Sequence, residues 1–140
     1  LITLAGYSGT PLAKKLGIAA GHRVKTHGAP PHYQDLLAPL PEGVTISARL
    51  RGQVDVWHLF TTTRRELAGA LGDAIAATEA GGVIWISWPK KTSGVPTDVT
   101  EDRIRDLVLP LGLVDVKVCA VDETWSALKL LRRKARPSRR

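Results

Sequence analysis

A chain of 140 residues suits one domain with its own core, and 44% apolar against 24% charged residues is the balance of an ordinary globular protein rather than a disordered or fibrous one. Charges or prolines interrupt every apolar run before it reaches the length of a membrane span, and residues 1–6 (LITLAG) are too short and lack the basic start of a signal peptide. The formal charge is +7, but six of the basic residues lie in 132–140 (RRKARPSRR), so the rest of the chain carries only +1. That block has two readings: a solubilising terminus, or a grip on the phosphates of nucleic acid. The chain has no Met, so Leu1 reads as an alternative start or a trimmed end. Its lone cysteine, Cys119, has no partner for an internal disulfide and fits a reducing, cytoplasmic setting; among valines it reads as a structural thiol.

In chain order, Thr10 and Pro11 predict a helix start, with an N-cap hydroxyl and then proline at the first helical position, and Gly17 stops the helix. Residues 22–27 predict a short strand, broken by Pro30 and Pro31, and residues 33–37 a turn or so of helix before Pro39 and Pro41. Strands follow at 44–50 and, more strongly, at 54–61, where nearly every residue is apolar or β-branched. Thr63 and Glu66 match a capping box, after which Leu67, Leu71, Ile75 and Thr78 recur at helical spacing until Gly81 and Gly82. Residues 82–86 (GVIWI) are a buried strand that empties into Ser87, Trp88, Pro89, Lys90 and Lys91. Asp98 or Thr100 caps a further helix with a stripe of Ile104, Leu107, Val108 and Leu111, ended by Gly112. Residues 114–121 and 127–131 are strands joined by Asp122, Glu123, Thr124 and Trp125, a link too short for a parallel crossover and therefore a hairpin.

Strands that alternate with helices and read as continuous apolar runs predict an α/β fold, a mostly parallel sheet covered on both faces and ending in an antiparallel hairpin. Residues 1–134 form the domain and 135–140 a basic tail. The segments VDVWHLF, AGGVIWISWPK and GLVDVKVCAVDETWSALKLLRR, with a helix between each, resemble the Rossmann-like fold of S-adenosylmethionine-dependent methyltransferases. The strings AGYSGTPLAKKLGI, SWPKKTSGVPTDVTED and LGLVDVKVCAVDETWSALKLLRRK resemble a small bacterial domain family of unknown function, from Ala5 to Lys134. The methyltransferase resemblance implies a glycine-rich loop after the first strand and an acid at the end of the second, both holding S-adenosylmethionine. Here the loop is Thr26-His27-Gly28-Ala29-Pro30-Pro31 and the second strand runs out at Arg49, so both handles are missing and one strand–helix unit is absent between Leu50 and Val54.

Ligands of open parallel sheets sit beyond the carboxyl ends of the strands. That rule gathers Ser8, Thr10, His27, Gly28, Thr63, Arg64, Arg65, Ser87, Trp88, Lys90, Lys91, Asp122, Glu123 and Trp125 at one rim. Free N–H groups at helix starts, four basic side chains and flat indoles predict a site for an anionic small molecule or protein partner. Each residue also has a plainer reading: Lys90 and Lys91 as a solvated loop, Trp88 as a cap on the core, and Asp122 and Glu123 as a polar turn or as partners of the lysines. His58, inside an apolar strand, reads as a satisfied core residue, and the histidines show no zinc spacing. No serine has an identifiable base beside it, so the expected role is a non-catalytic or accessory binding domain. The alternatives are a divergent methyltransferase and a nucleic-acid-associated protein using its basic tail.

Overall fold

The structure, a computed structural model, describes residues 10–133. Its elements are α1 (Leu12–Lys15), β1 (Arg23–His27), α2 (Tyr33–Leu37), β2 (Thr45–Ser47), β3 (Val56–Phe60), α3 (Arg64–Ala77), β4 (Val83–Pro89), α4 (Glu101–Val108), β5 (Leu113–Ala120) and β6 (Trp125–Arg132). The six strands lie in the order β2-β1-β3-β4-β6-β5. The first four are parallel; β6 runs antiparallel to both β4 and β5. Helices cover both faces, as the continuous apolar strands require. On one face, α3 and α4 bury Leu59, Ile84, Ile86 and Leu128 with Leu67, Leu71, Ile104 and Val108. On the other, α1 and α2 bury Val24, Val56, Phe60, Trp85 and Ala127 with Leu16, Tyr33 and Leu37. No helix among the described residues is long and apolar enough to cross a membrane.

The predicted order of elements is the observed one, and the differences are local. Pro11, not Thr10, occupies the N-cap of α1, and its ring offers no side-chain cap. Strand β2 covers only Thr45–Ser47 and stands at the end of the strand order, paired with β1 and with no other strand of the described residues. Strand β4 outruns its apolar stretch and continues to Pro89, since β6 pairs with it as far as Pro89 opposite Trp125. Trp125 is therefore a strand residue rather than part of the turn. Thr63 caps α3 by accepting the Glu66 N–H at 3.1 Å, but the Glu66 carboxylate does not reach back to complete the box; it accepts the Thr61 hydroxyl at 2.5 Å instead. Thr100 caps α4, accepting from the Arg103 N–H at 3.2 Å.

The strands that flank the missing strand–helix unit are joined by residues 48–55, and this short link is fastened onto the sheet. Lys25 Nζ donates to the Leu50 carbonyl at 2.6 Å, Arg23 Nη2 to Arg51 at 2.6 Å, and Gln53 Nε2 to the Ala76 carbonyl at 2.9 Å. Among the described residues no helix covers β1 on the α3 side, and a cleft lies there. The basic C-terminal block begins inside the fold: Arg132 donates to the Ile75 carbonyl at 2.9 Å, and the Arg133 N–H to Gly112 at 2.7 Å. Residues 134–140, which hold the rest of that block, lie outside the described residues, as does Ser8.

Candidate functional site

The rim residues separate into three places. Between β1 and α3 lies a cleft of about 460 Å³, lined by Lys25, His27, Gly28, Trp57, Glu66 and Asp73 among others. His27 Nε2 is 3.3 Å from Glu66 Oε2. The Thr61 hydroxyl, more than His27, holds the Glu66 carboxyl below the usual carboxylate range, against the opposing effect of burial. Only His27 and Gly28 of this group carried a sequence signal. Glu66 was visible as a capping residue, and its diversion to Thr61 and His27 depends on the three-dimensional meeting of β1, β3 and α3.

The second place is a groove of about 410 Å³ between the starts of α3 and α4, lined by Arg64, Arg65, Ala68, Asp98, Arg103, Asp106 and Leu107. The anion expected at the α3 N-terminus is already present as a side chain. Asp98 Oδ1 accepts the Arg64 N–H at 2.7 Å, and its other oxygen lies 3.5 Å from Arg64 Nε. The backbone N–H of Arg64, first, and then its guanidinium hold the Asp98 carboxyl below the usual carboxylate range. The loop after β4 brings Asp98 here: its N–H donates to the Thr62 carbonyl at 3.2 Å, and the Thr97 hydroxyl donates to the same oxygen at 2.7 Å. Arg64 at a helix start opposes the dipole, and Asp98 offsets that cost. Arg103 Nη1 donates to the Asp98 carbonyl at 2.7 Å, so a third arginine joins the two predicted ones.

The third place is the β5–β6 turn. Lys90 Nζ donates to the Asp122 carbonyl at 2.7 Å, and the Asp122 carboxylate accepts the N–H groups of Thr124 and Trp125, both at 2.8 Å. His32 Nε2 approaches the other Asp122 oxygen at 3.2 Å. Trp125 stands edge-on to Phe60, with ring centroids 5.1 Å apart. Lys90 and Asp122 thus hold the turn together, and Trp125 packs against the core beside it. Trp88 is half-buried against the α3–α4 core, while Lys91 and Glu123 are exposed.

Ser87 is not at the rim. It is fully buried on β4, and a base does stand beside it, contrary to the sequence reading: His58 Nε2 lies 2.7 Å from its Oγ, and His58 Nδ1 lies 2.7 Å from the Tyr33 hydroxyl. Burial pushes the His58 pKa down to about 3 and the Tyr33 pKa up. A serine and histidine both without solvent exposure satisfy each other as core polar groups, and no substrate reaches them.

A family model described as "Protein of unknown function (DUF3052)" matches residues 49–134, more than half of the chain. The chain belongs to the DUF3052 family. The match begins at Arg49, so it covers β3 to the end of β6 and not the N-terminal strings that also suggested a family. No curated protein sequence matches the chain. Solved structures are similar to this DUF3052 domain in fold. A SAM-dependent methyltransferase of Aquifex aeolicus superposes with a TM-score of 0.63 at 12% identity, over 86% of this chain and 87% of that one. A SAM-dependent O-methyltransferase of Thermotoga maritima gives 0.56 at 12% identity, over 91% and 65%. Fibrillarin of Aeropyrum pernix, solved with bound S-adenosyl-L-methionine, gives 0.59 at 13% identity, over 81% and 67%. At such identities the likeness establishes a methyltransferase-like fold and no activity.

The residues of this DUF3052 domain do not fit the handles that fold offers S-adenosylmethionine. Gly28 stands where the cofactor loop would begin, with φ +67°, yet a Cβ there would lie 2.7 Å from the Phe60 carbonyl oxygen. Its missing side chain makes room for the backbone of β3. Two prolines follow, and the Pro30 carbonyl already accepts the Tyr33 N–H that begins α2. The end of β2 presents exposed Ala48 and Arg49 in place of an acid, and the Arg49 N–H folds back onto Ser47 Oγ at 3.0 Å.

Proposed function

We propose that this domain is a binding module whose ligand is a small, multiply charged anion, seated in the groove between the starts of α3 and α4. The observation that carries the reading is the convergence of Arg64, Arg65 and Arg103 on one groove at the carboxyl edge of the sheet. Of the two acids lining the same groove, Asp98 is committed to the α3 start. Ala68 and Leu107 give the groove an apolar floor, and guanidinium groups supply the planar, paired donors that phosphate oxygens take up. Charges around a groove also draw in a counter-ion from solution.

The test is binding of pyrophosphate and ATP to the purified chain at low salt, followed by melting temperature and calorimetry. Both anions are expected to stabilise the fold, with affinity falling as salt rises. Arg65→Ala is expected to weaken binding by about fivefold or more, the effect of losing about one charge-assisted hydrogen bond. A chain truncated after Arg133 keeps every described residue, and it is expected to bind these anions as the full chain does. If binding disappears with residues 134–140, the basic tail is the anion site and the nucleic-acid reading prevails. Stabilisation by S-adenosylhomocysteine but not by pyrophosphate would instead favour the divergent methyltransferase.

A further inference from the structure

The cleft between β1 and α3 has chemistry opposite to that of the arginine groove, and the two lie on either side of α3. Its wall on α3 is formed by Glu66, Gly69, Ala70 and Asp73, which share one face at positions i, i+3, i+4 and i+7. Two acids thus flank a patch of small residues on which a ligand can lie close to the helix backbone. Across from them are Lys25 and His27 of β1 and Trp57 of β3. Lys25 Nζ lies 5.2 Å from the centre of the Trp57 ring. Glu66 and Asp73 face the ammonium of Lys25 across the cleft, and two carboxylates at one wall favour a ligand that carries a positive charge.

A second observation singles out the kind of ligand. Trp57 is 5% exposed, and its indole Nε1 is, among the described residues, the one buried side-chain nitrogen or oxygen without a hydrogen-bond partner. Buried donors are nearly always paired, because one left bare has given up its water for nothing. His58, Thr61, Thr78, Ser87 and the indole of Trp85 are all paired in this fold. Among the buried side-chain polar atoms of the described residues Trp57 Nε1 is the one left unpaired, and Trp57 lines a cleft whose volume falls in the range of about 300–1,000 Å³ that small-molecule sites occupy.

We propose that this cleft is a second binding site, for a small molecule with a cationic nitrogen at one end and a hydrogen-bond acceptor at the other, the chemistry of a basic amino acid. The carboxylate of such a ligand accepts from Trp57 and Lys25, and its cationic end meets Glu66 and Asp73. The site lies apart from the arginine groove and does not depend on the anion-binding reading.

The experiment is a titration of the ¹⁵N-labelled chain with L-arginine, read at the indole N–H signal of Trp57, which is assigned by its loss in Trp57→Phe. L-arginine is expected to move this signal saturably. Agmatine, which keeps the guanidinium and lacks the carboxylate, is expected to bind at least tenfold more weakly and to leave the Trp57 signal in place. Gly69→Leu fills the cleft from α3. A Cβ at Gly69 meets nothing within 4 Å and leucine is the better helix former, so this variant folds. It is expected to abolish the arginine response and to leave pyrophosphate binding unchanged. No saturable movement of the Trp57 signal, or an undiminished response in Gly69→Leu, would overturn the proposal.

Discussion

Acidification from pH 7 to pH 5 is expected to cost the domain about 2 kcal/mol of stability through one residue, His58. In the unfolded chain this imidazole takes up a proton near its ordinary value of 6.5; in the fold, burial holds its pKa down to about 3. Below pH 6.5 the unfolded state therefore binds more protons than the native state, and stability falls as pH falls, levelling off only near the folded value. The carboxyls of Glu66, Asp98 and Asp115 are held low in the fold, so their contributions are complete above their ordinary values of 4.5 and 3.8 and are lost only at lower pH. The window between pH 7 and pH 5 thus separates the His58 contribution from that of these carboxyls. Urea unfolding at several pH values gives the slope. In the triple variant Tyr33→Phe, His58→Phe, Ser87→Ala, which replaces the whole network by apolar groups, the slope in that window is expected to flatten. An unchanged slope would assign the acid sensitivity elsewhere.

The same network makes single substitutions costly. Neutral imidazole has one donor and one acceptor nitrogen, and the Tyr33 and Ser87 hydroxyls serve either role, so both tautomers of His58 are satisfied. Tyr33→Phe or Ser87→Ala leaves one ring nitrogen buried without a partner, and each is expected to destabilise by about 1–3 kcal/mol. The triple variant leaves no such orphan and is expected to lose less than the sum of its parts.

Gly28→Ala is expected to destabilise by about 3 kcal/mol or more, for two reasons that add. At φ +67° any side chain is strained, and the new Cβ would stand 2.7 Å from the Phe60 carbonyl, an atom of the central strand that cannot swing aside. Gly82→Ala meets the same obstacle without unusual dihedrals, with a Cβ 2.6 Å from the Val54 carbonyl. Gly72→Ala, in the interior of α3 with open space around it, is expected to stabilise by about 1 kcal/mol. Chemical denaturation of the three variants separates the cases. A mild effect at Gly28 would mean that β1 and β3 can part there, and the objection to a cofactor at that position would fall with it.

Much of the fold was legible along the chain because it rests on local chemistry. The apolar runs at β3 and β4 marked strands buried on both faces, the period of Leu67, Leu71 and Ile75 marked α3, and the short link around Asp122 marked a hairpin. Thr63 and Thr100 announced their helix starts because a cap depends on residues only three positions apart. That the carboxyl ends of the parallel strands share one edge was legible as well, since parallel strands of one sheet must end together. Which of those residues meet was not legible. Glu66 fits a capping box in sequence, but the Thr61 hydroxyl, with the His27 that the approach of β1 to α3 brings, turns it away from the helix start. Asp98 reads as a cap for the helix that follows it, yet it serves α3, 34 positions earlier, because the loop after β4 docks on Thr62. Ser87 looked like the first residue beyond a strand, and pairing with β6 carried the strand past it, where it lies buried against His58. Short-range patterns fix which element forms, because capping, periodicity and turn geometry act within a few residues. The partners of a charged or hydroxyl side chain are fixed by packing between distant segments, and for this domain that packing decided where one rim became a cleft, a groove and a turn.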